Sequence, residues 1–189
     1  MVRKKVYTRE QILQAAHELV EKEGFSKFTA RNIAKQMGIS TQPIYLEFKN
    51  MDDLKNTVLD EIFEQLFTGI FPKKVTGDPL VDLGLNFINF ANDNKRLFQA
   101  LYVEEYGCGQ KMYDASFENY HNMVKGSEKY ANVDEQHIDA LHVRTWVVVT
   151  GLAVLTTSGI IHPTQEQLIT TIEDTIDMVL KNPNPIHIE

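Results

Sequence analysis

Three times in the first fifty residues an apolar side chain stands directly before a Thr or Ser, and an isoleucine answers it five positions later. The sets are Tyr7-Thr8 with Ile12, Phe28-Thr29 with Ile33, and Ile39-Ser40 with Ile44. A hydroxyl in that place accepts a hydrogen bond from a backbone N–H that the first helical turn leaves without a partner. The flanking apolar pair packs across the cap and sets the angle at which the chain enters the helix. The pattern therefore predicts three helix starts at close intervals, and Gln11 completes a capping box with Thr8. Gly24 and Gly38 end the first two helices as C-caps. Ile12, Leu13, Ala16, Leu19 and Val20 give the first helix a one-sided stripe, and Ile33, Ala34 and Met37 give the second one. The third runs from Ser40 to about Phe48, with Pro43 at its third position, where the backbone N–H has no intrahelical acceptor.

The remainder also reads as helix. Asn50 caps a long fourth helix with one row of Leu54, Val58, Ile62, Leu66 and Ile70 beside another of Leu59, Phe63 and Phe67, ended by Pro72. Asp78-Pro79 opens the next as N-cap and first position. Helical patterns cover about 79–92, 95–106 and 110–125, then a polar, mobile loop from Gly126 to Asn132 precedes a helix from Asp134 to Ser158. Val147-Val148-Val149 has the composition of a buried strand, but the helical pattern continues on both sides and no second strand offers it a partner. A Thr164/Gln167 capping box starts the last helix, which stops before Pro183. The expected fold is all-α, about nine helices: a three-helix N-terminal head over 1–50 and a helical body over 51–189.

Two short helices joined by a glycine turn after a longer supporting helix form a helix-turn-helix. Met37-Gly38-Ile39-Ser40 is the turn, and Ser40, Thr41 and Gln42 stand where a recognition helix presents small polar groups to base edges. Gln42 can donate to and accept from an adenine edge at once. Thr29, Ala30, Arg31, Pro43, Tyr45 and Lys49 complete the predicted DNA-binding set, with Thr29, Arg31, Tyr45 and Lys49 as phosphate contacts. The net charge of −7 argues against a nucleic-acid partner until it is divided. Residues 1–51 have nine Lys/Arg against five Glu, and the rest have ten against twenty-one acidic residues. A basic head on an acidic body leaves the head to meet DNA. A purely structural three-helix unit would carry the same caps, so spacing alone leaves both readings open.

The stretch from Phe28 to Asn50 resembles the N-terminal signature of the tetracycline-repressor-like (TetR) family, with matches at Thr29, Ile33, Ala34, Gly38, Ile39, Ser40, Tyr45, Phe48 and, beyond it, Leu54. Arg9 to Gly24 resembles the family's first helix. Trp146, Gly151, Leu152, Leu155 and Gly159 are similar, more loosely, to its dimerisation helix. The resemblance implies a two-fold-symmetric, all-helical repressor that binds double-stranded operator DNA as a homodimer and releases it to a small-molecule effector. Two departures stand out. Met51 replaces a lysine that commonly touches a phosphate, with Lys49 or Lys55 as substitutes, and Thr150 replaces a histidine of the dimer helix.

In the body, Phe63, Phe67, Phe90, Phe98, Tyr102, Tyr113, Phe117, Tyr120, Trp146 and Thr150 are candidates to line an apolar ligand cavity, although plain core is the competing reading for each. Trp146, Val149, Gly151, Ala153, Ile172, Ile176 and Val179 are the expected dimerisation residues, two helices from each copy forming a four-helix bundle. Cys108 is the single cysteine, so no disulfide forms within the chain; Glu118 and His121 share a helix face without further metal ligands. No cofactor, metal site or nucleophile–base constellation is expected. No apolar run has signal-peptide form, and Trp146 to Ile161 is too short and too rich in Thr and Gly to span a bilayer, so a cytoplasmic protein is expected. Three function classes remain open: a ligand-responsive DNA-binding regulator, a regulator of the same fold controlled by a protein partner, and an enzyme on a helical scaffold.

Overall fold

The computed structural model describes residues 7–104 and 109–184. Cys108, Glu105 and the basic residues Arg3, Lys4 and Lys5 lie outside them. The described residues form nine α-helices and no strand: α1 (Arg9–Glu23), α2 (Ala30–Met37), α3 (Gln42–Glu47), α4 (Met51–Glu64), α5 (Pro79–Asp93), α6 (Lys95–Tyr102), α7 (Gly109–Gly126), α8 (Glu135–Thr157) and α9 (Gln165–Lys181). Val147 to Val149 lie within α8.

The predicted caps form. Thr8 and Thr164 close capping boxes, Thr29 accepts from the N–H of Asn32, and Asn50 Oδ1 accepts from the N–H of Asp53 at 2.8 Å. The third start differs by one residue. Thr41, in a helical conformation, is the N-cap of α3 and makes no side-chain cap bond; Pro43 is therefore at the second position rather than the third. Local chemistry gave Ser40 the role, but the first bond of the helix runs from the N–H of Ile44 to the carbonyl of Thr41, while the N–H of Ile39 still reaches back to Ala34.

Two compact units result. The first comprises α1 to α4 together with α6. Its core is built by Ile12, Ala16, Leu19, Val20, Ile33, Ile44, Phe48, Leu54 and Val58. Arg96 of α6 donates to the carbonyl of Glu23 at the end of α1 and pairs with Glu104. Gly24, at φ +77°, leaves room for that guanidinium, since a Cβ there would collide with it. The expected boundary at residue 50 falls inside this unit.

The second unit comprises the remaining helices and the π-helical segment Gln65–Ile70 that continues α4. There α5 packs against both α8 and α9, which pack against each other. Leu80, Leu85 and Ile88 meet a core that includes Ile138, Leu141, Ala153, Ile172 and Val179. Gly84 permits the close approach, as a Cβ there would lie 2.9 Å from Ile172 Cδ1. The loop read as mobile is anchored, because Tyr130 is 1% exposed and its hydroxyl donates to Asp78 at 2.7 Å. By length and composition α8 could cross a membrane, but nearly half of its most apolar window is buried in this unit's own core.

Candidate nucleic-acid interface and body site

Gly38, at φ +66°, gives α2 its left-handed C-cap, and its N–H bonds back to Lys35. This turn directs α3 away from α2 with Ile44 plugged into the core and the opposite face in solvent. Ser40, Thr41, Gln42, Tyr45 and Lys49 are all exposed, as are Thr29 and Arg31 at the start of α2. Tyr45 is 53% exposed and Leu46, which the sequence reading passed over, 77%. Pro43 is half-buried. Ala30 is the correction: its methyl is buried in the head core, leaving only its backbone for a phosphate.

The basic residues of the head divide between structural and solvent-facing roles. Arg9 is structural. Its guanidinium donates to the Glu47 carbonyl at 3.0 Å and to Thr57 Oγ1 at 3.3 Å, and it lies 4.1 Å from the Phe48 ring centroid. It thus ties α1 to the end of α3. Lys55 is also engaged, its ammonium 4.9 Å from the Phe25 ring centroid. Lys49 is exposed beside α3, with its backbone N–H held by Asp53 at 3.0 Å. Of the two residues offered in place of the missing lysine at Met51, Lys49 has the freer head.

In the second unit the predicted aromatic set divides. Phe63, Phe98 and Tyr102 belong to the first unit, where Phe98 and Tyr102 stack at 5.4 Å. Phe67 and Phe90 pack around Phe71 with Phe87, an ordinary apolar cluster. Tyr113, Phe117, Tyr120 and Trp146, by contrast, surround one side chain that the sequence reading did not single out. His142, 2% exposed, has its ring 5.3–5.5 Å from each of those four rings. Its Nε2 meets Ser116 Oγ at 2.8 Å, while Nδ1 is buried without a hydrogen-bond partner. Burial holds its pKa down at about 4. The hydroxyls of Tyr120, Thr145 and Thr150 are likewise buried and unpartnered. The only sequence clue was the polar residues spaced along an otherwise apolar α8. Two open grooves of about 370 Å³ lie elsewhere in this unit, one lined by Asn92, Thr156 and His162, the other by Phe71, Asp82 and Met123. Neither is lined by the predicted ligand set. No cluster of three metal-ligating side chains occurs among the described residues.

Five of the seven expected dimerisation residues are a second correction. Val149, Ala153, Ile172, Ile176 and Val179 are buried inside the single chain, against α5 and between α8 and α9. The apolar residues left in solvent on α8 are Val147, Val154 and Leu155, with Gly151 exposed among them. Helical periodicity was read correctly, but an all-apolar helix has two faces, and periodicity does not say which of them the chain itself covers.

Residues 12–58 match the model of the bacterial regulatory proteins, tetR family. Over 135 residues, 69% of its length, the chain is 24% identical to an HTH-type transcriptional regulator of Haemophilus influenzae, covering 66% of that protein. It is 30% identical over 97 residues to one from Staphylococcus aureus, covering 52% of it, so the matched region spans between half and two thirds of these relatives. A TetR-family protein from Vibrio parahaemolyticus shares the fold with a TM-score of 0.65 at 19% identity, over 89% of this chain and 96% of that one. These relatives are regulators and not enzymes.

Proposed function

We propose, on the premise that the head of this chain belongs to the tetR family of DNA-binding regulators, that the protein is a transcriptional repressor which reads a palindromic operator as a homodimer. The observation that carries the reading is the α3 surface. A six-residue helix buries Ile44 and presents Gln42, Tyr45 and Leu46 to solvent, flanked by Thr29, Arg31 and Lys49. Exposed apolar area on so short a helix is costly unless a partner covers it, and thymine methyls and deoxyribose suit it. With DNA as its target, the protein works in the cytoplasm.

Dimerisation supplies the second half-site. Val147, Gly151, Val154 and Leu155 fall on one stripe of α8, and a Cβ on Gly151 would meet nothing within 4 Å in its own chain. The chain's own packing does not require that glycine, whereas the close approach of a partner helix would. Two-fold pairing sets the recognition helices about 34–36 Å apart, or a multiple of that span. Release follows when a small molecule occupies the second unit. The π-helical segment continues α4 of the head unit into the second unit, and such segments are frequent at functional positions. Selection from random duplex DNA with the purified protein tests the reading. Recovery of an inverted repeat whose binding weakens steeply with salt is the expected result, and no enriched sequence refutes it. Control by a protein partner instead would leave operator affinity unmoved by every small ligand.

A further inference from the structure

We propose that the effector site is the α7–α8 cluster, and that it takes an uncharged planar aromatic molecule through one hydroxyl or carbonyl group. The inference rests on the reading that a small molecule controls this protein. It is drawn from three hydrogen-bonding groups, His142 Nδ1 and the hydroxyls of Tyr120 and Thr145, each on a residue no more than 3% exposed and each without a partner. A buried polar group without a hydrogen bond costs free energy, and native chains rarely leave several together. Here the groups share one helix pair: Tyr120 comes from α7, and His142 and Thr145 stand one turn apart on α8. The Thr145 hydroxyl is close enough to influence that of Tyr120 without reaching hydrogen-bonding geometry.

The walls define the rest of the ligand. Tyr113, Phe117 and Trp146 are half-buried, and Tyr113 stacks on Phe117 at 6.2 Å and on Trp146 at 5.9 Å. They form a flat aromatic layer between solvent and the polar groups. A planar ring can replace one of these ring-to-ring contacts with another of the same kind. The polar groups are uncharged at neutral pH. Burial keeps His142 neutral and pushes the Tyr120 hydroxyl far above its ordinary range. Each can donate or accept, which suits a hydroxyl or carbonyl and gives no counter-charge to an ion. Burial, with Asp139 and Asp114 adding to it, also raises the pKa of the Tyr113 hydroxyl, so that group too is neutral.

The experiment uses the full chain without DNA and four probes on one ring system: β-naphthol, β-naphthoate, naphthylmethylammonium and naphthalene. Calorimetry gives affinities, and emission from Trp146, the only tryptophan, reports contact at the site. β-Naphthol should bind about fivefold more tightly than naphthalene, the value of one net hydrogen bond, and at least about tenfold more tightly than either ion. Tyr120→Phe and Thr145→Val should each reduce the preference for β-naphthol over naphthalene while leaving the melting temperature of the unliganded protein unchanged or higher. Those hydroxyls have no partner to lose, and a merely structural role would lower stability and leave the preference intact. The proposal is overturned if β-naphthol fails to bind, if an ion binds as tightly, or if both variants keep the wild-type preference. The effector reading is tested separately by operator affinity. If β-naphthol binds and the operator is retained, the site stands and the control fails; if other molecules release operator equally from wild type and the double variant, control stands and this site fails.

Discussion

Replacing Asp78 with alanine should destabilise the second unit more than any substitution at a surface carboxylate. The side chain holds three things at once. It caps α5 through the N–H groups of Leu80 and Val81, at 3.0 and 3.3 Å, it accepts the Tyr130 hydroxyl at 2.7 Å, and it pairs with Lys129. Loss of an N-cap costs about 1 kcal/mol. Tyr130 is 1% exposed, so its orphaned hydroxyl adds about 1–3 kcal/mol. The exposed ammonium of Lys129 contributes little. The expected loss is therefore roughly 2–4 kcal/mol by urea denaturation. Tyr130→Phe alone should cost about 1.5–3 kcal/mol, the value of a hydrogen bond to a charged acceptor. Because Asp78→Ala already forfeits that bond, the double variant should be more stable than the two single losses predict, by about 1.5–3 kcal/mol. Acid behaviour follows from the same contacts. Burial by itself would raise the Asp78 pKa, but Lys129, Tyr130 and the two N–H groups together hold it below the ordinary value. A lowered folded pKa stabilises above the unfolded value and is lost as pH falls through the folded one. The wild type should lose stability in acid more steeply than Asp78→Ala. Single-variant losses that add within about 0.5 kcal/mol would refute the assigned coupling.

Gln42→Ala should cost about 1–3 kcal/mol at one base pair and relax specificity there, whereas Lys49→Ala should weaken all sequences alike and flatten the salt dependence, both read by fluorescence anisotropy on an operator series. Gly151→Leu should give a well-folded monomer in light scattering, because open space surrounds that position in the single chain; a folded dimer would remove the assigned interface. Arg9→Ala should lower head stability by about 2–3 kcal/mol through the lost bonds to Glu47 and Thr57 and the lost contact with Phe48, and Arg9→Lys should rescue little of it. Amide exchange confined to α1, α3 and α4 is the expected signature.

The head was legible because its information is local. Caps, staples and glycine stops act over three to five residues, so Thr8, Thr29, Gly38 and Ile44 announce their roles to anyone who can count. The surface of α3 follows from them, since burying Ile44 leaves Gln42 and Tyr45 outside. The same local rules placed the third cap one residue early, because the first bond of α3 returns from Ile44 to Thr41 rather than to Ser40. In the body the sequence determined where helices begin and end, but not which face each one buries. Ile172 and Val179 were candidates for a partner until the chain's own core took them, and nothing in the neighbouring letters told that Arg9 would spend its donors on Glu47 and Thr57. His142 carried little signal in the chain beyond being one of the polar residues on α8, since a lone histidine in a helix is unremarkable. Its meaning arises only when α7 brings three aromatic rings and Ser116 to join Trp146 of its own helix, each of the α7 partners twenty or more residues away in sequence. Short-range hydrogen bonds are written in neighbouring letters; burial is a property of which distant helix arrives, and only the packed chain decides that.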